Sequence, residues 1–301
     1  MLRSSFTRGR SYGAAALLAL APFAPVRRAI PGMAYTIHVT SGTPSGGGSA
    51  AAVAGAAQNY TANVIFAAGR GRMDVVAGGV PNLFSKGDYI LFEGHDLAIV
   101  HPATQAWTPL SHDTSGTAMQ QLEANGISMK MSDLEVKLDS LGAGDTVAGH
   151  ATTRYRMTTA FRMNVDAGFM QSRFAAENTT TYWLASIPGM PGNPLLQPNG
   201  FSGGPMAAGA FAELSKKVDS AAARMGSRVA LRTRTVSRLI LDAPGSNVQT
   251  EQTSEVSDLV ARPVDERLLI LPAGYKQVPL PGMDTVAAAV AARWRGAPGG
   301  G

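Results

Sequence analysis

The chain contains no cysteine. That excludes disulfides, thiolate metal sites and a lipid-modified cysteine anchor. Charge is sparse, at 16% of residues, and no Asp or Glu occurs before Asp74. Histidine is scarce too: His38, His95, His101, His112 and His150 are all there is, and no two stand four apart as a helical metal pair would. The longest early apolar run, Ala14 to Ala24, is too short to span a bilayer. Nothing has the strand–loop–helix order of a phosphate-binding loop around Gly69-Arg70-Gly71-Arg72-Met73-Asp74. No cofactor is expected.

That early run follows Arg3, Arg8 and Arg10 and leads into small residues, the layout of a secretory signal peptide over residues 1–34, cleaved after Ala21, Ala24 or Ala34. The mature protein is then exported, to the periplasm or beyond the cell. Arg3, Arg8, Arg10, Arg27 and Arg28 equal the whole net charge of +5, so the mature chain is close to neutral. A nucleic-acid partner loses its electrostatic basis.

Residues 35–282 carry the pattern of one β domain. Between Thr152 and Ala185, Thr153, Tyr155, Met157, Thr159, Phe161 and Met163 alternate with Arg154, Arg156 and Arg162, so one strand has a largely apolar face and a basic face. Asn164 to Gly168 supplies the turn, and the return arm carries Phe174, Ala176, Tyr182 and Leu184 on one side. A second hairpin joins Arg228–Leu241 to the segment after Asp242-Ala243-Pro244-Gly245-Ser246. Arg228, Arg232, Arg234 and Arg238 fall on one face of it, and Leu241 opposite Val248 sets Arg238 against Glu251 and Arg234 against Glu255.

Shorter strands are expected at 33–40, 60–67, 70–75, 89–93, 97–101 and near Trp107, then at 127–131 and 134–141. Helices are expected after Ser115, over Phe211–Met225 and after Asp284, and residues 265–276 read as an extended terminal piece. Pro188 to Pro205 holds five prolines and reads as an irregular loop. Residues 283–301 form a last helix and a Gly-rich tail. The fold class is mainly β: a curved antiparallel sheet, a half-barrel with two or three helices on its concave face.

Gly71-Arg72-Met73-Asp74, Gly87-Asp88-Tyr89-Ile90-Leu91, Glu255-Val256-Ser257 and Leu271-Pro272-Ala273-Gly274-Tyr275-Lys276 give the chain a resemblance to exported bacterial proteins of the domain-of-unknown-function 4412 type. These are grouped with the lipoprotein-carrier, LolA/LolB-like half-barrels. The resemblance covers most of residues 33–280. It implies a bent open sheet whose hollow holds the acyl chains of a lipid or an acylated protein, and it carries no catalytic residues. The chain departs from it in its length and in the loop at 188–205.

Met is flexible and polarisable, suited to an adaptable apolar surface. Met129, Met131, Tyr155, Met157, Phe161, Met163, Phe174, Tyr182 and Met225 are the candidate ligand-lining residues on the concave face. The same residues also suit a self-filled core, which makes the protein a structural or interaction scaffold. A third reading, a serine hydrolase, rests on Ser202 in Gly200-Phe201-Ser202-Gly203-Gly204-Pro205, with His101 or His150 as base and Asp166 as orienting acid. Phe201 stands where such loops have an acid.

Overall fold

The computed structural model describes residues 29–45, 58–81, 83–94, 96–110, 126–166, 171–190, 193–198, 211–241 and 247–279. Thirteen strands form one sheet: β1 (Ala29–Ser41), β2 (Asn59–Ala67), β3 (Arg70–Val80), β4 (Phe84–Ser85), β5 (Tyr89–Glu93), β6 (Asp96–His101), β7 (Ala106–Leu110), β8 (Ser128–Ala143), β9 (Thr153–Asp166), β10 (Gln171–Ala185), β11 (Val229–Leu241), β12 (Val248–Asp265) and β13 (Lys276–Gln277). Their order is β13-β7-β6-β5-β3-β2-β1-β12-β11-β10-β9-β8, with β4 beside β3. Every pairing is antiparallel except β13 on β7. The sheet is large, curved and unclosed, a mainly-β half-barrel-like fold.

Alternation sets the faces. Tyr35, Ile37 and Val39 of β1 are buried on the concave side, with Ala62, Val64 and Phe66 of β2 and Met73 and Val75 of β3. One helix is described, α1 (Ala212–Ala223), and the candidates after Ser115 and Asp284 lie outside the described residues. Ala221, Ala222 and Met225 at its C-terminal end pack on Met157, Tyr182, Leu184 and Ala230. Small residues at that contact let the helix lie close to the sheet.

The remaining concave space near β1 and β2 is filled by the chain itself. Ile187, Met190 and Leu196 are buried among Tyr35, Val64, Phe66 and Leu231. Asn193, fully buried, donates from Nδ2 to Tyr35 Oη at 2.9 Å and accepts the Leu195 N–H at 3.1 Å, starting a single 3-10 turn over Pro194–Leu196. In the irregular loop read at 188–205, the described residues Met190, Asn193, Pro194 and Leu196 are therefore part of the core.

Several boundaries differ from the expectation for physical reasons. The two strands expected within 127–141 are one, β8, because Asp133 takes φ +53° and absorbs the break as a bulge between Ser132 and Glu135. The β11–β12 register is shifted by two residues, Leu239 rather than Leu241 facing Val248. The ion pairs are accordingly Arg232–Glu255 at 2.9 Å and Arg234–Glu251 at 2.7 Å, while Arg238 donates to Gln249. A slip of two keeps every side chain on its own face, so the faces were right and the partners wrong. Arg228 leaves the arginine row: the bulge opposite Trp183 and Leu184 turns it to the concave side, where it donates to Tyr155 Oη at 3.0 Å. Among the described residues β1 begins at Ala29, so cleavage after Ala34 would remove residues paired with β12 and β2.

The terminal piece expected to be extended makes a 3-10 turn at Glu266–Leu269, begun by the Asp265 carboxylate accepting the Arg267 N–H at 3.1 Å. It then runs as a strap over the convex face. Arg70 reaches Glu266 at 2.6 Å, Leu269 sits on Ala67 and Val264, and Leu271 and Tyr275 pack by Tyr89, Leu91, Val100 and Trp107. β13 ends it by pairing with β7, so that edge of the sheet is covered. Arg72, held by Asp74 at 2.6 Å, lies 3.7 Å over the Tyr89 ring. Two of the four fragments behind the resemblance thus lie under the strap, and a third is the strap itself.

Burial raises the pKa of the phenols of Tyr35, Tyr60, Tyr89 and Tyr182, Tyr182 to about 12. For Tyr35 burial outweighs the opposing Asn193 hydrogen bond. Up to the ordinary pKa of 10.0 the phenol is neutral folded or unfolded; above it the unfolded chain ionises first, so stability falls as pH rises. By pH 11 Tyr35 alone is expected to cost about 1.4 kcal/mol. Urea unfolding from pH 8 to 11 should show a shallower alkaline loss in Tyr35→Phe than in the parent; identical slopes would disprove the assignment.

Candidate functional site

The cross-strand register sorts the concave face of β8–β12 into three zones. Nearest α1, Tyr155, Met157 and Tyr182 stand on adjoining rungs, Tyr155 opposite Tyr182 and Met157 opposite Leu138 and Thr180. Met157 and Tyr182 are buried against the helix, and Met225 beside them is fully buried. Tyr155 is half-buried under Arg228, whose guanidinium lies 5.1 Å from the ring centre. The Tyr182 hydroxyl donates to the Pro198 carbonyl at 3.4 Å.

The middle zone is polar. Thr233, Thr235 and Ser237 of β11 face Tyr182, Thr180 and Asn178 of β10 on one side and Ser254, Gln252 and Thr250 of β12 on the other, and Thr159 of β9 faces Asn178. Apart from the buried Tyr182, these residues are half-buried and uncharged, and Thr180 and Thr235 hydrogen-bond at 3.0 Å. This belt was missed in the sequence, although its signal was there. The apolar row of each arm is interrupted at Thr159, Asn178 and Thr180, on the same parity as Phe161 and Phe174.

Beyond the belt, at the tips of the long hairpins, the face is apolar again. Met131, Met163 and Phe174 share one rung, Phe161 faces Ala176 and then Leu239, and Met129 faces Val165. Met163 is buried, whereas Met129, Met131, Phe161 and Phe174 are half-buried. Phe161 meets Phe211 edge-on at 6.5 Å. The nine candidate residues therefore lie on or against one face but form two groups. Tyr155, Met157, Tyr182 and Met225 belong to the helix-covered core; Met129, Met131, Phe161, Met163 and Phe174 form the distal patch.

The convex face offers polar ladders. Trp183, Arg232, Glu255, His38 and Thr61 occupy one rung across five strands. His38 lies 3.2 Å from Ser257 Oγ, which donates to Asp258 at 2.9 Å. His101 sits 3.1 Å from Asp88. Among the described residues no group of three or more His, Asp or Glu side chains is placed to hold a metal ion.

Ser202, His95 and His112 lie outside the described residues. The proposed helpers of Ser202 do not converge. His150 precedes β9 and Asp166 ends it, more than about 40 Å apart along a 14-residue strand. His101, on β6, is separated from β9 by seven strands. Asp166 can orient neither base for attack by Ser202.

No family model and no curated protein matches the chain. Among solved structures it is similar to an uncharacterized conserved protein from Thermus thermophilus, at 11% identity and a TM-score of 0.32, over 82% of this chain and 90% of that one. Among the described residues no helix is long and apolar enough to cross a membrane.

Proposed function

We propose that the protein is an exported carrier of the lipoprotein-carrier kind, which binds an acyl chain of a lipid or of an acylated partner protein on the distal concave patch. The observation that carries this reading is the segregation of that patch. Ile187, Met190, Leu196 and α1 already occupy the proximal hollow, while Met129, Met131, Phe161 and Phe174 stay half-buried beyond a polar belt. A core extended for stability alone gains nothing from a belt of half-buried hydroxyls across it. For an acyl ligand the belt ends the apolar track and supplies hydrogen bonds to an ester or carboxyl group. The basic and apolar start of the chain supports export to the periplasm or the medium.

The test is native mass spectrometry of the full chain with lipid extraction, followed by titration with a fatty acid. Bound lipid or a saturable shift is expected, and Phe161→Ala with Phe174→Ala should weaken binding at least tenfold, as lost burial of two rings requires. A chain that carries nothing and takes up neither fatty acid nor phospholipid sinks the reading. That result would favour the second one, an interaction scaffold, which the self-filled proximal hollow supports.

A further inference from the structure

We propose a second site on the opposite, convex side of the same hairpin tips, one that takes the phosphate-and-hydroxyl headgroup of an anionic phospholipid and so docks the tips on a membrane surface. An open depression of about 570 Å³ lies there, lined among others by Ser132, Asp133, Arg162, Asn164, Arg173 and Ile240. The register explains it: Asn164 stands between Lys130 and Arg173, and Arg162 between Ser132 and Ala175, with Ile240 next on β11. Ala175 is small and leaves a low floor between the two guanidinium stems.

The chemistry of this lining is that of a phosphodiester with hydroxyls attached. Arg162 and Arg173 line the hollow, and Lys130 stands beside it, opposite Asn164 on β8. Arg173 has no ion pair or side-chain hydrogen bond among the described residues. The one carboxylate in the lining, Asp133, lies 3.4 Å from Arg162, but the two side chains are 62% and 73% exposed and hold each other weakly. Planar guanidinium groups suit phosphate oxygens.

The Asn164 Oδ1 atom is buried and has no hydrogen-bond partner among the described residues. Such an acceptor is costly to leave unpaired, and a headgroup hydroxyl would satisfy it. Ile240, 45% exposed at the rim, offers apolar contact where a headgroup meets its acyl region. A membrane surface, rather than a free phosphate ester, fits a site that is shallow, open and greasy at its rim. Met163 and Phe174 of the concave patch also border the depression, but the charged and polar groups that would hold a headgroup belong to the convex face alone.

A cysteine-free chain allows one reporter at a chosen place. The full chain would carry an environment-sensitive fluorophore at Gln171→Cys, exposed on the convex side two residues from Arg173, or at Asn63→Cys as a remote control. Vesicles of phosphatidylglycerol in phosphatidylcholine should shift the Gln171 label and leave the Asn63 label unchanged, and pure phosphatidylcholine should shift neither. Arg162→Gln with Arg173→Gln should raise the half-saturating lipid concentration by about 25-fold, roughly fivefold for each basic group at an anionic surface. Both side chains are solvent-facing, and an unchanged melting temperature would confirm that the fold survives. A Gln171 response indifferent to the double substitution, or to phosphatidylglycerol content, overturns the site. Glycerol 3-phosphate alone giving the same shift, with the same sensitivity to the arginines, overturns the membrane surface as its partner.

Discussion

Gly71→Ala is expected to lower the unfolding free energy by about 2–3 kcal/mol, with a fall in Tm of roughly 5–10 °C. Gly71 faces Phe66 across β2 and Phe92 across β5. The two rings close over it, stacked 6.2 Å apart at an interplanar angle of 11°. A methyl at Gly71 would stand 2.0 Å from Cζ and 2.3 Å from Cε2 of Phe92. The ring cannot step aside cheaply, because Phe92 is 3% exposed and belongs to the core with Ile90 and Ile99. Forcing a methyl into a filled core typically costs about 1–3 kcal/mol, and parting an aromatic pair about 0.5–1.5 kcal/mol more. Lower entropy of the unfolded chain offsets about 0.4–1 kcal/mol of this.

Gly42→Ala is the control. Its methyl would meet only Glu251, at 3.8 and 3.9 Å, and a change within about 0.5 kcal/mol is expected. Urea denaturation of both variants decides it. Equal stability would mean that the stacked rings do not depend on the missing side chain. Phe92→Leu should restore part of the loss in the Gly71→Ala background, since the two sites share one space.

Gly71 also shows what a sequence hides. In the chain it is one of many glycines, set between Arg70 and Arg72; only the strand order reveals the two rings across it. What alternation encodes was legible. The period of two from Thr153 to Met163 placed Tyr155, Met157, Phe161 and Met163 on the concave side, where they stand. What depends on distant pairing was not. β12 pairs with β1 through contacts such as Ile37 with Val256, which no local pattern announces. The partners of Arg234 and Arg238 escaped for a different reason: alternation repeats every two residues, so a slip of two leaves it unchanged. Face is readable from such a pattern and register is not.

The distal patch was legible residue by residue but not as a unit. Met129, Met131, Phe161, Met163 and Phe174 were separable from Tyr155, Met157 and Tyr182 only once Thr180, Asn178 and Thr159 were seen to lie between them on adjacent strands. A threonine in a strand is ordinary by its β propensity, so it gives no warning that it belongs to a polar band.

Leu196→Ala is expected to cost about 3 kcal/mol, within the usual 2–5 kcal/mol for a buried leucine. A leucine in a solvent-facing Pro-rich loop would cost under about 0.5 kcal/mol, so the substitution discriminates sharply. Leu196 is 2% exposed, in one cluster with Ile187, Met190, Tyr35 and Leu231. Prolines do not prevent such packing. Pro194 fixes its own φ at the first position of the turn and has no N–H to leave unpaired, while Asn193 supplies the capping oxygen. Asn193→Ala should be destabilising as well, by about 1–3 kcal/mol, since it leaves the Tyr35 hydroxyl buried without that donor.

These variants bear directly on where a ligand goes. Leu196→Ala opens a void in the proximal hollow without touching Phe161 or Phe174. Fatty-acid affinity should stay within about twofold of the parent if the distal patch is the site, because that patch lies beyond the polar belt. An affinity that rises with the void, in a variant still folded by far-ultraviolet circular dichroism, would move the site to the proximal hollow and make Ile187, Met190 and Leu196 a plug that a ligand displaces.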